Sequence, residues 1–342
     1  MPLFPSTSQS SREPSLFQLR GIVRAEQGTA ADAFQRPLRF RFQARLTPSV
    51  RCRVRNVEVC VGDRLERKRR EPMQRVNLNG VDLEYDVQGS GEPLLLIHGS
   101  ILADAFFPLL AEPRIANNYR VISYHRRGFA GSARAKDPFT IGQQAADSRA
   151  LLRYLGIPRA HVAGHSYGAA IALQWALDAP AEIQSLALLE PPLLASIPSG
   201  PMFWDGVAAI RAMYERGEKV EATDAFCTGV AGPEYRQVID KALPSGAFEL
   251  AVADIDTFFQ VELGALQQWH FTAEEATRIR QPVLAVVGTE SAPIFHEGHE
   301  LLKRWFPQAE ELVVPQATHA LQFMNPGAVA DGLAHFFARH PL

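Results

Sequence analysis

The residue best placed for covalent chemistry lies in the pentapeptide Gly164-His165-Ser166-Tyr167-Gly168. The apolar run Ala160 to Ala163 leads into it and Ala169-Ala170-Ile171-Ala172-Leu173 leads out. A strand that turns sharply into a helix at G-x-S-x-G lifts the serine hydroxyl above the sheet on a strained backbone. Ser166 is therefore the expected nucleophile, and the chemistry it offers is attack on a carbonyl, a covalent acyl-enzyme, then water. The glycines have a steric reason, because a side chain at Gly164 or Gly168 would meet the neighbouring strand or helix where the chain turns so tightly.

The elements that must hold this turn are legible from Met73 onward. Arg75 to Leu78 and Val81 to Val87 flank Asn79-Gly80, a two-residue hairpin signal. Pro93 to Ile97 is short, continuous and apolar, as expected of a strand buried on both faces, and it ends in His98-Gly99-Ser100. A helical stretch to about Arg114, a strand over Tyr119 to Tyr124, the turn His125 to Ser132 and a helix from about Ile141 to Leu155 lead to the nucleophile strand. Ile183 to Glu190 reads as another buried strand. Residues 191–280 offer helical patterns rich in aromatic bulk and no further strand. Strands return at Pro282 to Gly288 and Glu311 to Val314, each followed by a helix, the last over Pro326 to Arg339. Alternating strands and helices imply an α/β fold with a mostly parallel sheet covered on both faces.

Composition narrows the function classes. The 342 residues are 46% apolar, ample for a buried core. No run approaches the length of a membrane span, and the first residues lack a secretory pattern. Cys52, Cys60 and Cys227 give neither a disulfide framework nor a zinc pattern, which makes a reducing cytoplasm the default. The net charge of −2 hides an asymmetry: residues 1–72 carry 15 basic and 7 acidic side chains, the remainder 20 and 30. That first stretch is expected to be a poorly ordered basic extension, or a leader upstream of a true start at Met73. Its run Arg64 to Arg70 lacks the interleaved aromatics of a nucleic-acid surface. The expected partner is a small-molecule substrate, with no nucleic acid and no membrane, and a homo-oligomer is compatible with the composition.

Together, Leu95-Leu96-Ile97-His98-Gly99, Arg127-Gly128-Phe129-Ala130-Gly131-Ser132, Gly164-His165-Ser166-Tyr167-Gly168 and Ala317-Thr318-His319 resemble the α/β-hydrolase fold family over roughly residues 73–340. The resemblance implies an eight-stranded, mostly parallel sheet with helices on both faces. It divides the chain into a core over 73–190 and 281–342 and an inserted helical lid over 191–280. It also implies that His319, after the last strand, is the general base that a serine hydroxyl needs at neutral pH. His98 resembles the structural histidine before the oxyanion loop. The histidines of His296-Glu297-Gly298-His299-Glu300 stand three apart and do not make a zinc motif, so no metal and no cofactor are expected.

The acid departs from the common pattern. Most relatives carry an aspartate where this chain has Ser291. Glu290, one position earlier, and Glu190, at the end of the preceding strand, are the two candidates, and a subset of haloalkane dehalogenases resembles the second arrangement. Glu190 is favoured, because a charge ending a buried strand is costly unless used. The oxyanion donors are expected to be the backbone N–H groups of Tyr167 and of Ser100, or Ile101. Trp204, Phe258, Phe259 and Trp269 are the candidate pocket residues. A serine nucleophile argues against relatives that use aspartate there and favours a small, mostly hydrophobic ester, lactone or ring-cleavage diketone. Other cofactor-free chemistry in the same pocket, or a ligand-binding protein on the same scaffold, is the alternative.

Overall fold

The computed structural model describes residues 73–134 and 137–342; the expectations for residues 1–72 fall outside the described residues. Eight strands form one sheet: β1 (Gln74–Leu78), β2 (Val81–Gln88), β3 (Glu92–Ile97), β4 (Tyr119–Tyr124), β5 (Ala160–His165), β6 (Ile183–Leu189), β7 (Val283–Gly288) and β8 (Glu310–Val314). Their order is β1-β2-β4-β3-β5-β6-β7-β8. The β1–β2 and β2–β4 pairs are antiparallel and all others parallel.

The hairpin closes with Leu78 opposite Val81. Asn79 (φ 52°) and Gly80 (φ 76°) both take the left-handed conformation that a tight two-residue turn between right-twisted strands requires. The central strands are apolar throughout because successive side chains enter two different cores. Leu95, Ile97, Val162, Leu186 and Leu188 pack on one face. Leu94, Leu96, Ala163, Ala187 and Leu189 pack on the other.

Helix α1 (Ile141–Tyr154) starts at a capping box in which Thr140 and Gln143 satisfy each other's backbone. Helix α2 (Tyr167–Asp178) is buried over most of its length, and its run of small residues lets it lie close against the sheet. The helical stretch expected before β4 is instead a turn, a 3₁₀ segment Pro108–Ala111 and a short helix Pro113–Ala116. Pro108 and Pro113 each lack the N–H that a continuous helix would need.

Between β6 and β7 the chain is helical: α3 (Gly200–Glu215), α4 (Lys219–Ala231), α5 (Tyr235–Ala242), α6 (Ala247–Thr257) and α7 (Leu263–Gln268). A single π turn, Phe258–Glu262, joins α6 to α7. This insertion has its own apolar cluster, which also takes in Ile101, Ala320 and Phe323 from the loops at the strand ends. Helices α8 (Pro293–Trp305) and α9 (Pro326–Arg339) follow β7 and β8. Among the described residues no helix is long and apolar enough to cross a membrane.

Candidate active site

Ser166 stands between β5 and α2 at φ 52° and ψ −122°. Such a conformation costs on the order of 1–3 kcal/mol unless its surroundings impose it. Here two close approaches do. A Cβ on Gly164 would lie 2.4 Å from the carbonyl oxygen of Gly168, and one on Gly168 would lie 2.1 Å from that of Ile97. The helix and β3 can meet at this point only because both positions lack side chains.

Two more non-glycine residues beside Ser166 have positive φ, Glu190 at 49° and Ile101 at 70°. For a β-branched residue that is a genuine outlier. The Leu102 N–H bonds the Ser100 carbonyl at 2.8 Å, closing a three-residue turn around Ile101. Strain at three loops that converge on one cavity is the pattern of a functional site.

His319, in the loop after β8, is buried. Its Nδ1 lies 2.5 Å from Glu190 Oε2. A carboxylate oxygen is an acceptor, so Nδ1 is the donor in this pair and Nε2 is the ring nitrogen left free of Glu190. The other carboxylate oxygen, Oε1, accepts the Gly288 N–H at 2.9 Å and the Ser291 hydroxyl at 2.5 Å. Ser291, where the resemblance led one to expect the acid, thus donates to a carboxylate supplied from the neighbouring strand end. Glu290 is exposed, and its backbone N–H bonds the Ala317 carbonyl.

The imidazole of His319 is sandwiched. Phe295 stacks on it with ring centres 3.9 Å apart and planes 7° from parallel, and His165 lies 4.6 Å away, centre to centre. His165 accepts from Gln322 Nε2 on Nδ1 at 3.1 Å and therefore donates through Nε2 to the His319 carbonyl at 2.8 Å. Burial first, and the neighbouring His319 second, hold the His165 pKa well below its usual value. His165 is consequently a neutral clamp on the loop that carries His319.

The loop after β3 is held from below by Arg126, itself buried. Its guanidinium donates to the carbonyls of His98 (3.0 Å) and Gly99 (2.8 Å). His98 Nε2 accepts the Arg126 N–H at 3.0 Å, and His98 Nδ1 donates to the Gly99 carbonyl at 2.7 Å. In a trans peptide the N–H points opposite to the C=O. Fixing the Gly99 carbonyl on Arg126 therefore turns the Ser100 N–H away from it. The N–H of Tyr167, in the first turn of α2, has no acceptor within the helix.

Next to Arg126, His125 lies between Glu84 (3.1 Å) and Asp104 (3.2 Å). Burial opposes its charge, but the hydrogen bonds it donates to Asp104 and Glu84 outweigh it and raise the His125 pKa to about 9. The bond to His125 is the main reason that the Glu84 pKa falls to about 2. The His125 contribution to stability is complete below the unfolded imidazole value near 6.5 and is lost as pH rises through about 9. The Glu84 contribution is complete above 4.5 and is lost as pH falls through about 2. Thermal unfolding followed from pH 6 to pH 9.5 is expected to show a falling midpoint whose slope is reduced in His125→Gln.

Ser100, Ile101, Ser166, Tyr167 and His319 share the wall of one cavity of about 930 Å³, partly open to solvent. The helical insertion supplies most of the rest, including Phe203, Phe226, Phe258 and Leu263. Of the four aromatic residues expected to line it, Phe258 does. Phe259 stacks on Tyr214 at 4.5 Å instead. Trp204 and Trp269 line an adjoining cavity of about 410 Å³, which shares Pro192, Leu194 and Leu266 with the first, and the Trp269 indole N–H donates to Gln174. Adjacent residues on a helix point about 100° apart, so of Phe203-Trp204 and Phe258-Phe259 one member of each pair turns inward and the other away.

Of the histidines and carboxylates at the start of α8, Glu297, His299 and Glu300 have partners within the protein. Glu297 accepts from Ser199, His299 pairs with Glu311 at 2.7 Å, and Lys303 bridges Glu300 and Glu311. Residues not anticipated from the sequence are Ser291 as a donor to Glu190, Phe295 as the ring under His319, and the buried Arg126. The position of Ser291 in the customary acid slot was the one available signal.

A family model described as the alpha/beta hydrolase fold matches residues 92–326. A dihydrolipoyllysine-residue acetyltransferase component of the acetoin cleaving system from Pseudomonas putida is 28% identical over 257 residues, 73% of this chain and 64% of that protein. The chain thus spans just under two thirds of that relative. A thermophilic esterase from Thermogutta terrifontis superposes with a TM-score of 0.65 at 20% identity, covering 79% of this chain and 99% of the other. The enol-lactonase from Burkholderia xenovorans LB400 does so with a TM-score of 0.65 at 21% identity, covering 77% and 99%.

Proposed function

We propose that this chain, which belongs to the α/β-hydrolase fold family, is a serine-dependent hydrolase that cleaves small, mostly apolar esters or lactones through an acyl-enzyme. The observation that carries this reading is the bond of 2.5 Å between His319 Nδ1 and Glu190 Oε2, with His319 and Ser166 both in the wall of one cavity. Ser166 is the nucleophile. His319 takes its proton on Nε2 and returns it to the leaving group, and Glu190 fixes the tautomer and stabilises the imidazolium. The N–H groups of Tyr167 and Ser100 receive the oxyanion, helped by the positive end of α2. The helical insertion acts as a lid that keeps the cavity apolar and limits access of water.

The solved structures of an esterase and an enol-lactonase with this fold support the substrate class. The test is turnover by the purified protein of p-nitrophenyl esters from acetate to decanoate, a panel of lactones, and a ring-cleavage diketone. Short and medium esters or lactones are expected to be hydrolysed, with rates falling for charged acyl groups. Cleavage confined to the diketone would move the assignment to carbon–carbon hydrolysis. No turnover of any class, together with tight binding of one of them, would favour a binding protein on this scaffold.

A further inference from the structure

His165, inside the nucleophile pentapeptide, and Gln322, in the short helix Leu321–Met324 just after His319, are both buried. Neither belongs to the serine, histidine and acid of the reaction proposed above. They meet beside the loop that carries the base. His165 Nε2 lies 2.8 Å from the His319 carbonyl oxygen, and His165 Nδ1 lies 3.1 Å from Gln322 Nε2. The His165 ring is also 4.6 Å from that of His319, centre to centre.

Where the protons sit follows from what each atom can do. A backbone carbonyl oxygen only accepts, so Nε2 of His165 carries a proton. Burial keeps the ring neutral, so Nδ1 retains its lone pair and calls for a donor. In a histidine the hydrogen bond made at one ring nitrogen fixes the state of the other. Of the two ends of the Gln322 amide only the nitrogen can donate, and the nitrogen is the end that meets His165. The other end, Oε1, is left buried with no hydrogen-bond partner among the described residues. A buried orphan of this kind asks for a reason, and His165 supplies one: turning the amide over would set its oxygen against the lone pair on Nδ1. A Cβ on Gly99 would lie 3.0 Å from the same Nδ1, so the glycine leaves that edge of the ring clear for the amide.

We propose that Gln322 is a positioning residue for the base: by donating to His165 Nδ1 it keeps that ring turned with its Nε2–H on the His319 carbonyl, and so sets where the His319 imidazole stands. This rests on the hydrolase reading above and adds a residue that acts through His319 from outside the triad. Misplacing a reacting group by about 1 Å costs on the order of 100-fold in rate. The lock is therefore read in kcat rather than in KM, because it governs the geometry of proton transfer and not the apolar walls that hold the substrate.

The test begins with nitrogen NMR spectra of the histidine rings in the wild-type protein at neutral pH. His165 is expected to be protonated on Nε2 alone, and a proton on its Nδ1 would overturn the proposal. Gln322→Glu keeps the shape of the side chain and replaces the donor by an acceptor, so His165 Nδ1 is expected to gain a proton. Ester turnover per site titrated with a fluorophosphonate should then show kcat lower by about 10-fold to 100-fold and KM within about twofold of wild type. In a His165→Gln background, whose amide keeps a donor for the His319 carbonyl but has no second ring nitrogen to respond, the same exchange is expected to cost less than about threefold. Equal losses in the two backgrounds would give Gln322 a packing role only and overturn the lock. Because Gln322→Glu buries a charge, Gln322→Met decides if that variant does not fold: a kcat lower by about tenfold supports the lock, and a kcat equal to wild type overturns it. Wild-type ester turnover together with any of the contrary results sinks the lock and leaves the hydrolase reading standing. Absence of wild-type turnover sinks the hydrolase reading, and the catalytic role of Gln322 with it.

Discussion

Replacing Ser166 by alanine is expected to reduce ester turnover by about 10⁶-fold, the scale of loss when a serine nucleophile is removed from its general base. The fold should not suffer. The Ser166 side chain makes no capping bond to α2, and the turn is held by the contacts of Gly164 and Gly168 rather than by the hydroxyl. Unfolding midpoints of wild type and Ser166→Ala are therefore expected to agree closely while steady-state hydrolysis vanishes. Hydrolysis that persists within tenfold of wild type would assign the reaction to another group.

The second large effect concerns the acid. Glu190→Gln keeps the shape of the side chain and loses its charge. The remaining carbonyl oxygen can still accept from Gly288 and Ser291, the two donors now on Glu190 Oε1. The amide nitrogen then faces His319 Nδ1, where the carboxylate Oε2 now lies at 2.5 Å. An amide donor there forces Nδ1 to accept, which moves the ring proton to Nε2 and removes the lone pair that should take the proton of Ser166. The wrong tautomer costs about 10⁴-fold in kcat where a triad acid is replaced by its amide. Glu290→Gln, on an exposed turn, is expected to change kcat less than about twofold, as surface substitutions do. Equal mild losses from the two variants would contradict the assignment of Glu190.

Much of this site could be read from the chain because its constraints are local. Gly164 and Gly168 announce a close approach, the run Ile183–Leu189 announces a buried strand, and a charge at its end, Glu190, announces a use. Ambiguity between Glu190 and Glu290 persisted because both follow strand ends in the order serine, acid, histidine, and only the spatial meeting of two loops distinguishes them. The aromatic residues of the insertion were harder. Phe258 and Phe259 are equally apolar, and which of them faces the cavity depends on the rotation of the turn that carries them. The Arg126–Glu262 pair was invisible for a related reason: the two residues are 136 positions apart, and nothing in the local pattern of either marks it as buried.

The central claim is that the hydroxyl of Ser166 is activated by His319. The most direct measurement is reaction of the intact protein with a fluorophosphonate, followed by peptide mapping of the adduct by mass spectrometry. A single adduct on the peptide containing Ser166, formed rapidly in wild type and suppressed in His319→Ala, is the expected result. An adduct on another residue, or none on folded protein that still hydrolyses esters, would contradict it.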